Sequence, residues 1–367
     1  MSHPALERFL RVLVERGGSD LHVQAGSAPR LRINGVLAVI DGEAALSPED
    51  TEEIARVIMR PEIAEQFDRR GEGDFAHALS GVGRFRVNVF RQRGSVALIM
   101  RLVRANAQSF DDLGLPDVVV RLAGEHRGLI LVTGPTGSGK TTTLAAMIDH
   151  INQNRECHII TIEDPIEVLH PTGKAEVNQR EIGFDTKDFP SAMRAAMRQD
   201  PDVILVGEMR DQETVAAALS AAETGHLVLS TLHTIDAPET VNRIVDFFPP
   251  HQQNQIRVAL AGSLKGTICQ RLVRTVDGEG RVAAFEVMVS NGRIQECILD
   301  PQRTSEIHEM IAEGAYYGMV TFDQSLATLF EAGQIALREA ISAASHPHDL
   351  QVMLQNKGLI STGTRTA

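Results

Sequence analysis

The chain of 367 residues is long enough for two or three domains. With 43% hydrophobic and 23% charged residues it has ordinary globular usage, which excludes a wholly disordered, collagen-like or coiled-coil chain. Its 36 basic against 48 acidic side chains leave a net charge of −12, and aromatics are only 4%, so holding nucleic acid by phosphate contacts or base stacking starts poorly supplied.

In chain order, Leu6, Phe9, Leu10, Leu13 and Val14 fall at helical spacing, with both charge signs on the other face. This reads as a packed helix rather than a membrane-surface one. Glu7, Arg8 and Arg11 interrupt the apolar core that a signal peptide would need, and no run approaches the ~18 apolar residues of a spanning helix. The expectation is a cytoplasmic protein with no transmembrane segment. Three scattered cysteines, Cys157, Cys269 and Cys297, match neither a CxxC zinc pattern nor an even disulfide framework.

From Ser19 to Val103, short alternating runs (Leu21–Val23, Leu31–Ile33, Val36–Ile40, Arg84–Phe90, Val96–Val103) accompany a helix signal after Ser47-Pro48-Glu49. An α+β domain over residues 1–103 is expected, then a polar connector over 104–115. Past Pro116 the order becomes strand Gly128–Thr133, glycine-rich turn, helix to about Ile151, strand His158–Ile162, with further apolar runs at Val203–Val206 and Leu227–Leu229. Such alternation predicts a parallel sheet with helices on both faces. Helical patterns at Gln252–Leu264, Thr304–Ile311 and Phe322–Phe330, with a strand at Val282–Val289, predict a helical C-terminal portion. One α/β domain is expected over 116–360, with a frayed tail at 361–367.

Gly134-Pro135-Thr136-Gly137-Ser138-Gly139-Lys140-Thr141 satisfies G-x-x-x-x-G-K-[ST] between an apolar strand and a helix, the context a phosphate loop requires. Glycines let the loop turn tightly and aim backbone N–H groups at phosphates, and the helix N-terminus adds its dipole. Lys140 is expected on the β- and γ-phosphates of ATP, and the Thr141 hydroxyl on Mg2+, with Thr142 next to it. Glu163 and Glu208 each follow an apolar strand, in Ile159-Ile160-Thr161-Ile162-Glu163 and Val203-Ile204-Leu205-Val206-Gly207-Glu208. Carboxyl ends of parallel strands are where such sheets bind ligands. Glu208 would orient or deprotonate the attacking water, or hold it near the magnesium. Acids after strands are also common helix caps. His226 and His233 bracket the strand Leu227–Thr231, where either a phosphate-sensing or a structural role is open.

Taken together, these motifs resemble the secretion ATPase superfamily, and within it the PilT-like type IV pilus retraction ATPases. Ser19-Asp20-Leu21-His22-Val23 with Arg32-Ile33-Asn34-Gly35 looks like the start of that family's N-terminal domain. Thr161–Glu167 is similar to its Asp box, Asp200–Asp211 to its Walker B segment, and Thr224–Thr234 to its His box. The resemblance implies a RecA-like P-loop ATPase core with a smaller PAS-like N-terminal domain, and catalytic roles for Glu163, Glu208, His226 and His233. It also implies that Arg86 and Arg101 reach the nucleotide, although as residues alone they read as solvated strand positions. Arg194 and Arg198 are weaker candidates, four apart and expected on one helix face. The resemblance further implies a homo-hexamer at the inner face of the cytoplasmic membrane, acting on the pilus platform protein.

The zinc-binding cysteines of extension-type relatives are absent, which favours the retraction branch. Where that branch reads Ala-Ile-Arg-Asn-Leu-Ile-Arg, this chain reads Arg293-Ile294-Gln295-Glu296-Cys297-Ile298-Leu299, so both characteristic arginines are missing. A helper-type retraction paralogue, with a paralogous retraction ATPase as partner, therefore stays open, as do a DNA-transfer motor and a nucleotide switch without turnover. No nucleic-acid partner is expected.

Overall fold

The computed structural model describes residues 3–361, so the tail expected beyond Ser361 lies outside the described residues. The chain divides into two compact units, Met1–Ala105 with Glu167–Leu169, and Asn106–Ile166 with His170–Ala367.

In the first unit, α1 (Pro4–Glu15) precedes β1 (Asp20–Gln24), β2 (Arg30–Ile33) and β3 (Val36–Val39); α2 (Pro48–Ile58) and α3 (Pro61–Arg70) precede β4 (Glu72–Leu79), β5 (Gly83–Gln92) and β6 (Ser95–Leu102). The six strands form an antiparallel sheet in the order β3-β2-β1-β6-β5-β4. Phe85, Val87 and Val89 alternate inward along β5 and pack with Phe9, Leu13, Ile54 and Phe67, as a half-buried antiparallel strand requires. The helix signal at Ser47 is a capping box: Ser47 Oγ accepts from the Asp50 N–H, and the Asp50 carboxylate accepts from the Ser47 N–H.

The second unit carries α4 (Asp117–Ala123), β7 (Gly128–Thr133), α5 (Lys140–Asn154), β8 (His158–Glu163), β9 (Glu176–Glu181), α6 (Phe189–Ala196), β10 (Val203–Val206), α7 (Gln212–Glu223) and β11 (Leu227–Leu232). There follow α8 (Ala237–Asp246), α9 (Pro250–Ser263), β12 (Leu264–Arg274), β13 (Arg281–Val289), α10 (Gly292–Leu299), α11 (Ile307–Ala312), α12 (Phe322–Glu331), α13 (Leu337–Ala343) and α14 (Pro347–Asn356). The sheet order is β13-β12-β7-β11-β10-β8-β9, parallel except for β13 on β12. Leu129, Leu131, Ile160, Ile162, Ile204 and Val206 enter one core with α6 to α9, whereas Ile130, Val132, Ile159, Val203 and Leu205 enter another with α4 and α5. Burial on both faces is why these strands read as unbroken apolar runs. Helices α12 to α14 pack on Cys269, Val273 and Ala284 of β12 and β13, giving the helical C-terminal portion. The arrangement is the mixed α/β, RecA-like architecture that the motifs imply. Among the described residues no helix is long and apolar enough to cross a membrane.

Candidate active site

The phosphate loop leaves the carboxyl end of β7, an interior strand of the second unit's sheet, and runs into α5. Pro135, Thr136 and Gly137 are exposed at its tip, whereas Ser138 and Lys140 turn inward. Lys140 Nζ donates to the carbonyls of Gly134 at 2.8 Å and Pro135 at 3.1 Å. Burial lowers its pKa below that of an ordinary lysine, and the field of Glu208 offsets part of that effect. Two glycines here answer to space as well as to conformation. At Gly134, with φ +140°, a Cβ would lie 2.4 Å from the Gln270 carbonyl; at Gly139, with φ +94°, it would lie 2.9 Å from Gln270 Nε2.

Glu163 is the last residue of β8, and its Oε1 accepts from Thr161 Oγ1 at 2.7 Å and Gln179 Nε2 at 3.0 Å. β10 pairs with β8 so that Val206 faces Ile162, and the Gly207 N–H then donates to the Ile162 carbonyl at 2.8 Å. This brings the turn carrying Glu208 alongside Glu163. Ser230 and Thr231 hydroxyls donate to the carbonyls of Val206 and Gly207, both at 2.7 Å, and so tie the same turn to β11. The strand leads directly to His233, whose Nε2 lies 3.2 Å from Glu208 Oε1, while Arg210 Nη2 lies 2.7 Å from Glu208 Oε2. Burial would raise the Glu208 carboxyl, but Arg210 and His233 outweigh it and hold the group below the usual carboxylate range. A cavity of about 300 Å³ opens beside Glu208, Arg210, His233, Thr234, Glu239 and Arg243.

Thr141 is exposed on the first turn of α5. Its hydroxyl and the Glu208 carboxylate are hard oxygen donors of the kind magnesium takes, so the residues present fit that ion.

The structure thus brings together the loop Gly134–Thr142, Glu163, Glu208 and His233 within the second unit. It does not bring His226 to them. His226 precedes β11 at the sheet's opposite end, where its carbonyl accepts from the Gly128 N–H at 3.0 Å and its Nδ1 lies 3.0 Å from the Ala221 carbonyl. The strand between the two histidines spans roughly 20 Å. Arg86 and Arg101 belong to the first unit and face each other directly across β5 and β6. Arg101 Nε donates to Asp20 Oδ1 at 2.8 Å, and Arg86 Nη1 lies 3.6 Å from Glu167 Oε1. Burial works to raise the Asp20 carboxyl, but the Ser19 hydroxyl and Arg101 hold it low. Arg194 lies in the last turn of α6 and pairs with Glu213 at 3.4 Å, whereas Arg198 lies in the turn beyond that helix, so the expected shared helical face is not formed. Asp211 of the Walker-B-like segment caps α7, accepting from the Thr214 N–H at 2.8 Å.

Sequence reasoning passed over Arg210, Thr161, Gln179 and Gln270. Arg210 stood within the segment already quoted. Gln270 stands beside Arg271 in Ile268–Val273 and is 1% exposed, and that polar pair gave no sign in the sequence of a buried strand.

Residues 3–317 match the family described as "Type II/IV secretion system protein". The chain is 41% identical over 347 residues to the type IV pilus retraction ATPase PilT of Pseudomonas aeruginosa, covering 94% of this chain and 99% of that one. It is 40% identical over 352 residues to the type IV pilus ATPase PilU of the same organism, covering 95% and 91%. Among solved structures, the pilus retraction motor PilT with bound ADP superposes with a TM-score of 0.85 at 47% identity, covering 94% of this chain and 99% of that one. With that match over most of its length and that identity to its relatives, the chain belongs to the type II/IV secretion system protein family.

Proposed function

We propose that this chain is an ATP-hydrolysing motor that powers retraction of type IV pili. The observation that carries the reading is the convergence of the Gly134–Thr142 loop with Glu163, Glu208 and His233 at the carboxyl ends of adjoining parallel strands. The loop N–H groups and Lys140 hold the phosphates. Glu208 orients the attacking water and accepts its proton, with His233 steadying one carboxylate oxygen; Glu163 lends a second negative group at the same sheet edge. Thr141 and Glu208 would hold Mg2+, which when bound neutralises phosphate charge. As water bonds to the γ-phosphorus, the bond to the β–γ bridging oxygen breaks and ADP leaves.

Family resemblance assigns Arg86 and Arg101 to the nucleotide phosphates. Each already has an acidic partner in its own unit, so that role requires an exchange of partners. The same resemblance supports a homo-hexameric ring in the cytoplasm, peripheral at the inner membrane and pulling on the pilus platform protein. Deletion in the source organism tests the reading: more surface pili with lost surface movement supports retraction, and fewer pili points to assembly.

A helper role beside a second retraction ATPase is favoured by one observation. On α10, Ile294, Cys297 and Ile298 are buried as the motif's apolar positions require, but Gln295 and Leu299 occupy the two missing arginine positions, and both are exposed. What differs is a surface, not a core. Supplying this chain to a strain lacking all other retraction ATPases separates the readings: movement restored by the chain alone supports an independent motor, and movement only beside another retraction ATPase supports a helper.

A further inference from the structure

We propose that Gln270 is a positioning residue for the phosphate loop, holding the Ser138 carbonyl inward so that the loop's N–H groups stay turned toward the nucleotide. The inference rests on the nucleotide-hydrolysis reading above.

β12 runs parallel to β7 with Cys269 opposite Thr133, so Gln270 stands level with the first residue of the loop. Its Nε2 donates to the Ser138 carbonyl at 2.7 Å, and its Oε1 accepts from Thr143 Oγ1, on the first turns of α5, at 2.9 Å. One amide therefore joins the loop to the helix it feeds. The Ser138 carbonyl can only accept, so it fixes which way that amide faces and leaves Oε1 to accept from the Thr143 hydroxyl. Gly134 and Gly139 approach this residue more closely than any Cβ would allow. The side chain is 1% exposed, so water cannot replace a lost partner. With a carbonyl at Ser138 held inward, the exposed tip at Pro135–Gly137 has less freedom to fold its N–H groups away from a bound phosphate.

The test uses the full chain and compares wild type with Gln270→Met, Thr143→Val and the double variant. Three quantities are measured: kcat and KM for ATP, the ADP dissociation constant by titration calorimetry, and the melting temperature without nucleotide. Gln270→Met is expected to raise KM and the ADP dissociation constant by on the order of tenfold, with kcat held within about threefold because ground and transition states share the loop. Thr143→Val is expected to raise both by roughly threefold, and the double variant to be no worse than Gln270→Met. A brace with no bearing on phosphate would lower the melting temperature and leave KM and ADP affinity within about twofold of wild type; that result overturns the proposal. If Gln270→Met does not fold, Thr143→Val decides, and a wild-type KM in that variant overturns it. A wild-type chain that neither binds ADP nor hydrolyses ATP would instead sink the nucleotide reading itself.

Discussion

Glu208→Gln offers the sharpest examination of the proposed chemistry, because it removes a charge and leaves the shape. In the structure both carboxylate oxygens are engaged, Oε2 by Arg210 at 2.7 Å and Oε1 by His233 at 3.2 Å. A glutamine can still accept from Arg210, so the turn after β10 should keep its place. The Arg210 side chain is 62% exposed, which screens the pair and limits the stability change to less than about 1 kcal/mol. Catalysis is another matter. A residue that positions water and takes its proton contributes on the order of 10²- to 10⁴-fold, or about 3 to 5 kcal/mol of barrier. Phosphate release at saturating ATP should fall by that factor, while the ADP dissociation constant, measured by titration, stays within about threefold because the loop and Lys140 are untouched. Arg210 and His233 hold the Glu208 carboxyl low, so wild-type turnover should show no decline from loss of this base until pH falls below the ordinary carboxylate range. Phosphate release within a few-fold of wild type by a folded Glu208→Gln variant would remove this glutamate from the chemistry and refute the assignment.

Lys140→Ala should weaken ADP binding by at least about tenfold, since it removes a charged phosphate partner; wild-type affinity in that variant would detach the loop from nucleotide. Glu286 supplies a pH test far from the chemistry. It is 1% exposed on β13, and burial pushes its carboxyl up from 4.5 to about 7, with the Ala237 N–H working the other way and Asp236, Arg271 and Asp323 nearby. The folded chain thus keeps a proton that the unfolded chain releases between those values. Stability from this group is full below pH 4.5, declines as pH rises toward 7 and is level above, by at most ~3 kcal/mol. Glu286→Gln should flatten the difference between melts at pH 5 and pH 8, and an unaltered slope would contradict the reasoning. Replacing the exposed Gln295 and Leu299 of α10 together by arginine should change stability by less than about 1 kcal/mol and leave phosphate release unaltered, while altering surface motility; unaltered motility would remove this face from partner coupling.

How much of this was readable in advance follows from burial. β7, β8, β10 and β11 are covered on both faces, so their apolar runs stood out. β9, reading Glu-Val-Asn-Gln-Arg-Glu at the sheet edge, has no such signature. β12 escaped for another reason: Lys265-Gly266-Thr267 near its start and Gln270-Arg271 within it break up the apolar pattern, so no strand was expected there. The direct pairing of Arg86 with Arg101 was implicit in the Arg93-Gly94 turn, where both residues adopt positive φ, at 49° and 82°, as a two-residue hairpin requires. The histidines were the opposite case. Spacing made His226 and His233 equivalent candidates, but only pairing with β7 reveals that one stands at the loop end of the strand and the other at its far end.

The charged groups assigned to nucleotide chemistry share a feature that bears on how a motor of this kind stores and releases free energy. Lys140 donates to two loop carbonyls, Glu208 is held by Arg210 and His233, Arg101 by Asp20, and Arg86 lies near Glu167. An unpartnered buried ammonium or carboxylate would cost several kcal/mol, so a pocket of bare charges would itself be unstable. Partner exchange avoids that penalty. When Lys140 turns to phosphate it surrenders neutral carbonyls for an anion, a net gain. Nucleotide binding energy is then drawn from the loop.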